Sequence, residues 1–394
     1  MKKNIVMFST ENKFEKYRLY KDSGLITYYL GKEYNHNSIF FCCNVTKILP
    51  SNFRSMKIIE ERLTLKSCEM FPIYRGFEIK RYTFLIKNIK NIDFLLIFQF
   101  SRHKILFIFL YKLLNKKGKI YIKLDATLEY IKRSNKNDKK LIDKFSNYFI
   151  KKALNKVELF SCETKECFDE IEKNGLYNFD ISDKLAHIQN GFDEDYLIEN
   201  NIKVKKFEEK ENIMITVGRI GSEEKNNEML LNVIEKMNLK NWKIYIIGSY
   251  TKKFKKYYDD FIKNDPDKKD KVILVGNIED KNLLYDYYNR AKVFLLTSRR
   301  EGFALVYPEA LKFGNYIITT DVGGAKDITD NGQIGVIVKI EDEKQYKKEI
   351  LKVINGEINF KEKYLKSLEW SNRNFLWSNI VKHEEFKEFF NGEN

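Results

Sequence analysis

Short apolar runs alternate along the chain with stretches whose apolar positions have helical spacing. In the second half, the runs predict buried strands at 213–217, 243–247, 272–275, 293–297, 316–320 and 335–338. Strands that are separated by helix-length segments are typical of parallel sheets with right-handed crossovers. The second half is therefore predicted to be a doubly wound α/β domain.

The first half shows the same alternation less regularly. Its predicted strands are 4–8, 38–43, 93–98, 119–124 and 157–162, and its predicted helices are 25–31, 99–115 and 137–155. Asp22 or Ser23 is a natural N-cap for the first helix, and residues 163–164 open another one. Residues 195–212 are polar and without a strong period, so we place a domain boundary near residue 200.

The last part of the chain, residues 364–390, has apolar residues at helical spacing and is predicted to form one or two amphipathic helices. Two arrangements stay open at this point. The helices pack on their own domain, or they pack on the first domain and tie the two halves together.

Composition limits the class of protein. A chain of 394 residues with 43% hydrophobic residues can form two domains with large cores, and no run is long enough to span a membrane. Its cysteines are odd in number and lack paired CxxC spacing, which favours free thiols over a disulfide framework or a zinc site. They are Cys42, Cys43, Cys68, Cys162 and Cys167. We therefore expect a cytoplasmic protein.

The net charge of +15 is concentrated in one segment, residues 102–156, which holds 16 basic and 4 acidic residues. One interpretation is a peripheral contact with an anionic membrane surface. The other is a set of ordinary helices packed on their sheet, with their lysines in water. A nucleic-acid partner is not expected.

The stretch from Arg300 to Leu311 carries the most informative pattern. It follows an apolar strand, and Pro308 favours the first turn of a helix, so we predict strand, loop and helix. Glu301 then lies in the loop and Glu309 in the first helical turn. Ligands of open α/β sheets bind at this edge, and a helix N-terminus attracts anions.

Two carboxylates beside an anion-binding turn suit a ligand that has hydroxyls at both ends and phosphate between them. A nucleotide sugar is such a ligand. The alternative chemistry is a general acid and base pair for glycoside hydrolysis.

Other candidate residues end predicted strands of the second domain. Gly218 opens a turn in which Arg219 and Lys225 provide two cations suited to two phosphates, although surface charge is common in so basic a chain. Asn277 and Ile278 follow another strand and are placed to meet a base edge.

The first domain offers fewer candidates. Gly24 allows close approach of the backbone to a ligand. Asp125 ends a predicted strand, where it serves either chemistry or the capping of the next turn.

These motifs together resemble glycosyltransferase family 4. Glu301 and Glu309 are separated by seven residues within Glu-Gly-Phe-Ala-Leu-Val-Tyr-Pro-Glu-Ala, which is similar to the EX7E signature of that family. The resemblance extends to Gly218-Arg219 with Lys225, to Asn190-Gly191-Phe192-Asp193 and to Gly323-Gly324.

The resemblance implies a GT-B fold, with two Rossmann-like domains of parallel sheets, residues 1–200 and 201–370, facing a central cleft. It implies that the C-terminal helix, 371–394, crosses back to the first domain. It also implies retaining transfer, without metal, from a UDP- or GDP-sugar to a glycan, lipid-linked or protein acceptor, as in bacterial cell-surface polysaccharide biosynthesis.

The family pattern also implies roles for single residues. Arg219 and Lys225 bind the diphosphate, Glu309 binds the ribose, and Glu301 contacts the donor sugar. The remaining donor contacts are the backbone of Phe303 and Ala304 at the sugar, Leu305 and Val306 near the phosphates, and Gly24 at the diphosphate.

One departure from the family concerns a histidine that many members carry in the first domain. Here the comparable stretch is Lys123-Leu124-Asp125-Ala126, so Asp125 or His103 takes its place. Two other classes of protein are less favoured, because this chain keeps all four of Arg219, Lys225, Glu301 and Glu309. A non-catalytic GT-B subunit is expected to lose one of the four charged residues, and a nicotinamide-dependent oxidoreductase is expected to carry a glycine fingerprint that this chain lacks.

Overall fold

The computed structural model describes residues 2–9, 16–44, 50–62, 73–136 and 141–392. The chain divides into two compact units, which we call unit 1, residues 1–190 and 377–394, and unit 2, residues 191–376.

In the described part of unit 1, an eight-stranded sheet has the order β3-β4-β2-β1-β5-β6-β7-β8, and only the β3–β4 pair is antiparallel. Its strands are β1 Asn4–Phe8, β2 Asn37–Asn44, β3 Asn52–Phe53, β4 Met56–Arg62, β5 Phe94–Phe98, β6 Lys119–Lys123, β7 Leu159–Cys162 and β8 Leu185–His187.

Helices cover both faces of this sheet, and each face has its own apolar core. The longer helices are α1 Asp22–Glu33, α2 Ile73–Asn88, α3 Ile105–Leu114, α4 Leu128–Ser134, α5 Leu141–Leu154 and α6 Lys165–Asn174.

Several boundaries in unit 1 differ from the predicted ones. Helix α1 begins at Asp22, and Lys21 is its N-cap residue, so the predicted capping role of Asp22 or Ser23 is wrong. Helix α3 begins at Ile105 rather than near residue 99, because Gln99 has a left-handed backbone and Ser101 an extended one. Of the predicted helix 137–155, residues 137–140 lie outside the described residues.

Unit 2 has a six-stranded parallel sheet in its described residues, with the order β11-β10-β9-β12-β13-β14. All six predicted strands are confirmed, to within one residue at each end. They are β9 Ile213–Val217, β10 Lys243–Ile247, β11 Val272–Gly276, β12 Val293–Leu296, β13 Tyr316–Thr320 and β14 Gly335–Val338.

Helices again cover both faces of the sheet. They are α7 Glu194–Glu199, α8 Asn227–Ile234, α9 Lys252–Asn264, α10 Lys281–Arg290, α11 Val306–Lys312, α12 Ala325–Ile328, α13 Glu343–Asn355 and α14 Phe360–Asn374. The short α7 overlaps the start of the segment 195–212, for which the sequence showed no periodic pattern.

Unit 2 begins ten residues earlier than the predicted boundary. The Phe192 backbone N–H donates to the Phe375 carbonyl oxygen at 2.6 Å, and both rings lie in the core of unit 2. Residues 191–200 and the end of α14 are therefore held together within this unit.

The tail after residue 376 belongs to unit 1. Its helices are α15 Trp377–Ile380 and α16 Glu384–Asn391. Trp377 stacks on Tyr29 of α1 with ring centroids 6.5 Å apart, and Phe390 packs against Phe94 of β5 at 4.6 Å. The last helices thus complete one apolar core of unit 1.

No helix in the described residues is long and apolar enough to cross a bilayer. Cys42, Cys162 and Cys167 are buried and are not part of a disulfide, while Cys68 lies outside the described residues.

Candidate active site

The order of strands in unit 2 reverses between β9 and β12. The chain places β10 and β11 on one side of β9, and then returns to place β13 and β14 on the far side of β12. In open α/β sheets, ligands commonly bind beside the carboxyl ends of the two strands that flank such a reversal. Lys225 follows β9, and Glu301 follows β12.

Lys225 and Glu301 meet at this reversal of strand order. The Lys225 ammonium Nζ lies 2.5 Å from Glu301 Oε1, and the two side chains are only 15% and 12% exposed. Ser298 Oγ donates to the same carboxylate oxygen at 2.6 Å. A side chain built on Gly218 would come within 3.6 Å of Lys225 Cε, so the lysine stem lies over this glycine.

Hydroxyl groups join the neighbouring loops. Thr297 Oγ1 donates to the Lys225 carbonyl at 3.0 Å, and Thr320 Oγ1 donates to the Ser298 carbonyl at 2.6 Å. The backbone ends of β12 and β13 and the loop after β9 are thus linked. Sequence reasoning missed these threonines and Ser298, although polar residues at the end of an apolar strand were a usable signal.

Arg299 anchors the rest of the loop after β9. Its backbone N–H donates to the Glu224 carbonyl at 2.7 Å, and its Nη1 donates to the Glu223 carbonyl at 2.8 Å. Its Nε donates to Glu341, and this hydrogen bond lowers the pKa of that carboxyl. Arg219, near the start of the same loop, has an exposed side chain.

Two glycines allow the loop after β13 to lie against the loop that carries Glu301. A Cβ on Gly323 would stand 2.1 Å from the Gly302 carbonyl oxygen. Gly324 has a φ of 82°, and a Cβ there would stand 2.7 Å from the Phe303 ring. Any side chain at either position would displace backbone or ring, so close packing of the two loops requires glycine.

Glu309 lies in the first turn of α11 and is half-buried. The Tyr288 hydroxyl on α10 donates to Glu309 Oε2 at 3.0 Å. Burial, together with the Glu309 charge, raises the pKa of Tyr288 well above its usual range. The carboxylate is therefore held by a buried phenol that stays protonated, a partner that the sequence did not reveal.

The remaining candidates of unit 2 lie around these carboxylates. Phe303 and Ala304 have buried side chains, so only their backbone can face a ligand, and Leu305 and Val306 are half-buried at the start of α11. The last two candidates, Asn277 and Ile278, follow β11 at the same sheet edge but are separated from β9 by β10.

Unit 1 also has a reversal of strand order, between β1 and β5. A cavity of about 530 Å³ opens there, at the carboxyl ends of β1, β5 and β6. Phe107 contributes an apolar surface, and Arg81, Gln99, His103 and Asp125 contribute polar ones. The size falls within the range of about 300–1,000 Å³ that is usual for small-molecule sites.

Asp125 is held in this cavity in a strained backbone conformation. Its φ is 43°, and Gln99, which donates from Nε2 to Asp125 Oδ2 at 3.0 Å, has a φ of 61°. Lys104 Nζ in turn donates to the Gln99 carbonyl at 2.5 Å. Non-glycine residues with positive φ cluster at sites where the surrounding structure fixes them for function.

A buried ion pair lies directly behind Asp125. Lys123 and Glu163 are almost fully buried, and Lys123 Nζ donates to Glu163 Oε1. The same oxygen accepts the Asp125 backbone N–H at 3.2 Å. Burial lowers the pKa of Lys123, but the Glu163 charge and hydrogen bond outweigh that effect, so the pKa is raised and the lysine stays charged.

Asp22 belongs to this charged group as well. It is the first residue of α1, and its side chain is buried. Burial, followed by the Asp125 charge, raises the pKa of Asp22 to about 7. This carboxyl group of unit 1 therefore has a pKa close to neutral pH.

Gly24 lies two residues further along α1. A Cβ there would stand 2.4 Å from the Leu19 carbonyl oxygen. Close packing against the Leu19 backbone therefore explains why this position is a glycine. The predicted approach of Gly24 to a diphosphate stays a prediction. Among the described residues, no group of three or more His, Cys, Asp and Glu side chains is placed to hold a metal ion.

Comparison with known families gives a match over unit 2. Residues 198–368 match the family described as "Glycosyl transferases group 1". This segment therefore forms a glycosyl transferases group 1 domain, and the match supports glycosyltransferase activity.

Two curated relatives are glycosyltransferases of bacterial glycan assembly. The chain is 24% identical over 264 residues to the capsular polysaccharide biosynthesis glycosyltransferase CapM of Staphylococcus aureus, covering 61% of this chain and 68% of that one. It is 30% identical over 181 residues to an α-1,4-N-acetyl-D-galactosaminyltransferase of Campylobacter jejuni that acts on an undecaprenol diphosphate-linked glycan, covering 44% of this chain and 46% of that one.

Solved structures give the fold. A glycosyltransferase from Rickettsia africae superposes with a TM-score of 0.69 at 16% identity over 100% of both chains. Anabaena Alr3699/HepE in complex with UDP-glucose superposes with a TM-score of 0.61 at 13% identity over 98% of both chains. The chain has the GT-B fold, with two parallel-sheet α/β domains.

Proposed function

We propose that the chain is a retaining glycosyltransferase that moves a sugar from a UDP- or GDP-sugar to an acceptor in glycan, glycolipid or glycoprotein assembly. The observation that carries this proposal is the meeting of Lys225 and Glu301 where the strand order of unit 2 reverses. The group 1 match over the same unit supports it.

Lys225 and Arg219 are proposed to bind the diphosphate of the donor. The lysine is a point charge held beside Glu301, and the exposed arginine six residues earlier offers a fork of donors suited to phosphate oxygens. As the bond to the sugar breaks, negative charge grows on the leaving phosphate. Cations that offset this charge lower the barrier because their effect is larger in the transition state than in the ground state.

The two glutamates are proposed to hold the ends of the donor. When the donor phosphate replaces Glu301 as the partner of Lys225, the Glu301 carboxylate is available to accept hydrogen bonds from sugar hydroxyls. Glu309, fixed by the Tyr288 hydroxyl, accepts from the ribose. The relative that was solved with UDP-glucose favours UDP as the nucleotide.

The cavity of unit 1 is proposed to receive the acceptor, with Asp125 in place of the family histidine. Its aromatic surface suits the apolar face of a sugar ring, and its Arg, Gln, His and Asp side chains suit hydroxyls. The Campylobacter relative, whose substrate is linked to undecaprenol diphosphate, favours a lipid-linked acceptor.

The chemistry is a displacement on one face of the sugar. The bond between the anomeric carbon and the phosphate oxygen breaks, a bond from the same carbon to the acceptor oxygen forms, and the acceptor proton passes to the leaving phosphate. Asp125 would orient the acceptor hydroxyl. The proposed reaction uses neither a protein nucleophile nor a metal.

The test is a panel of UDP- and GDP-sugars, scored by nucleotide release with a mixture of lipid-linked and soluble acceptors. One donor is expected to be turned over, and NMR of the early product is expected to show the anomeric configuration of the donor. If nucleotide sugars neither bind nor react, the proposal fails and a non-catalytic subunit is favoured. A product with inverted anomeric configuration would exclude a retaining reaction but would leave the proposed glycosyl transfer in place.

A further inference from the structure

Helices α3 and α5 of unit 1 lie side by side on the sheet. Ile108 and Tyr111 of α3, and Ile150 and Leu154 of α5, point into the same apolar core. Phe109 and Phe149 connect the two helices by an edge contact, with ring centroids 6.4 Å apart. The opposite face of this helix pair is directed away from the core.

That outward face carries apolar side chains. On α3, Leu106 is 64% exposed and Leu113 is 70% exposed, and they stand one turn on either side of Phe109. Leu114, Tyr148 and Phe149 are exposed as well. These five account for five of the fourteen exposed large hydrophobic side chains in the described residues, so the clustering on two helices is not the usual scatter of single residues.

Cations adjoin these apolar side chains. The Phe149 ring contacts the Tyr148 ring at 5.5 Å, and Lys152 Nζ lies 4.5 Å from the centre of the latter. Lys156 Nζ lies 5.8 Å from the centre of the Phe109 ring. Lys151 on α5, together with Lys116 and Lys117 beyond the end of α3, is exposed.

Acidic residues are scarce in these two helices, and Asp143 near the start of α5 is the one that they contain. Residues 102–117 and 144–157 contain no Asp or Glu. Glu158, the first acidic residue after the second segment, accepts a hydrogen bond from Lys112 and neutralises it. The outward face thus combines apolar side chains with a local excess of positive charge.

We infer that this outward face, formed by Leu106, Leu113, Leu114, Tyr148, Phe149, Lys151 and Lys152, docks on an anionic lipid surface. The lysines complement negative headgroups, and the leucine and aromatic side chains enter the boundary between headgroups and acyl chains. Nucleic acid would neutralise the lysines but leave the leucines exposed to water. An ordinary apolar protein partner would bury the leucines but leave the lysine charge without a counter-charge.

This inference does not depend on the proposed function, because lipid binding is measured without donor or acceptor. The full chain is sedimented with phosphatidylcholine vesicles that contain or lack phosphatidylglycerol, at low and at moderate salt. Binding is expected only with phosphatidylglycerol and is expected to weaken with salt.

Two double variants separate the contribution of the lysine charges to lipid binding from that of the leucine side chains. Lys151→Gln with Lys152→Gln is expected to weaken binding by about fivefold per lysine. Leu106→Ser with Leu113→Ser is expected to weaken it by about tenfold per leucine. Because all four side chains are exposed, the thermal melting curve is expected to stay close to that of the wild type.

Matched controls come from unit 2. Lys252 and Lys253 are an exposed lysine pair on α9, and Leu283 and Leu365 are exposed leucines on α10 and α14. Lys252→Gln with Lys253→Gln, and Leu283→Ser with Leu365→Ser, are expected to bind like the wild type.

Four results would overturn the inference. One is the absence of binding to phosphatidylglycerol at low salt. Another is loss of binding in the lysine variant but not in the leucine variant, which would indicate a general polyanion site. A third is equal loss in the control variants. The last is a dimer, seen by light scattering, that only the leucine variant abolishes, which would make the face an interface between two copies.

Discussion

Lys225 Nζ lies 2.5 Å from Glu301 Oε1, although the two residues follow different strands and are 76 positions apart. Both side chains are mostly buried, so each charge depends on the other for its partner. A donor phosphate would offer the lysine a second anion at the same place. In the proposed reaction, the cation is therefore in position before the negative charge of the leaving group develops.

Replacing Lys225 tests the phosphate role. Lys225→Ala is expected to lower kcat by about 100- to 1,000-fold, as is usual for the loss of one group that stabilises transition-state charge. Nucleotide release under saturating donor measures it. Lys252→Ala, which changes an exposed lysine of the same unit, is the control. Turnover at the wild-type rate by Lys225→Ala would remove this residue from the reaction.

Replacing Glu301 tests whether this residue contacts the sugar or the nucleotide part of the donor. Glu301→Gln keeps the size of the side chain and an oxygen for Ser298, but removes the charge. Affinity for the UDP-sugar is expected to fall about tenfold, as for the loss of a charged hydrogen bond, while affinity for UDP alone is retained. Calorimetry with both ligands measures the difference, with Glu223→Gln, an exposed glutamate, as the control. Equal losses for both ligands would assign Glu301 to the phosphate side.

Tyr288 is expected to act through Glu309. Tyr288→Phe removes the hydrogen bond to Oε2 and is expected to weaken UDP binding several-fold while costing about 1–2 kcal/mol of unfolding free energy. Tyr346→Phe is the matched control, because that buried hydroxyl bonds to the Leu296 and Ile318 carbonyls instead. If both variants lower stability alike and neither changes UDP affinity, Tyr288 has a structural role only.

The strands of unit 2 were predictable because each is a short, mainly apolar run, as in Val293–Leu296. The short strand pair β3 and β4 was missed because Lys57 and Glu60 interrupt its apolar pattern. Contacts between distant segments were not predictable. Lys123 stood within an apparently apolar strand, and only the register of β6 beside β7 brings it near Glu163.

The buried pair of Lys123 and Glu163 is expected to dominate local stability in unit 1. Glu163→Leu leaves a buried cation without its partner and is expected to cost about 3–5 kcal/mol of unfolding free energy. Adding Lys123→Met is expected to restore part of that loss. Urea denaturation measures each value. Lys165→Ala, at an exposed pair with Asp169, is the control and is expected to cost under about 1 kcal/mol. If the loss of unfolding free energy in the double variant equals the sum of the losses in the two single variants, the two side chains do not stabilise each other.

Asp22 predicts a pH dependence of stability. Burial and the Asp125 charge raise its pKa in the folded protein to about 7, above the value of 3.8 expected when the chain is unfolded. The folded state therefore binds the extra proton, and the contribution of Asp22 to stability is complete below pH 4 and is lost as the pH rises through 7. The slope is at most about 1.4 kcal/mol per pH unit.

Asp22→Asn is expected to remove this slope, so that the stability difference between variant and wild type grows in favour of the variant between pH 4 and pH 7. Unfolding in urea at several pH values measures it. An unchanged difference across that range would mean that Asp22 is ionised in the folded protein.

The packing of Trp377 and Phe390 into the first unit also bears on the order of folding. A ribosome makes residues 377–392 after all of unit 2, yet these residues supply part of a core whose sheet was made first. Unit 2 is a continuous segment and can close as soon as residue 376 has emerged. The half of the protein that is translated first is therefore the half that completes its fold last.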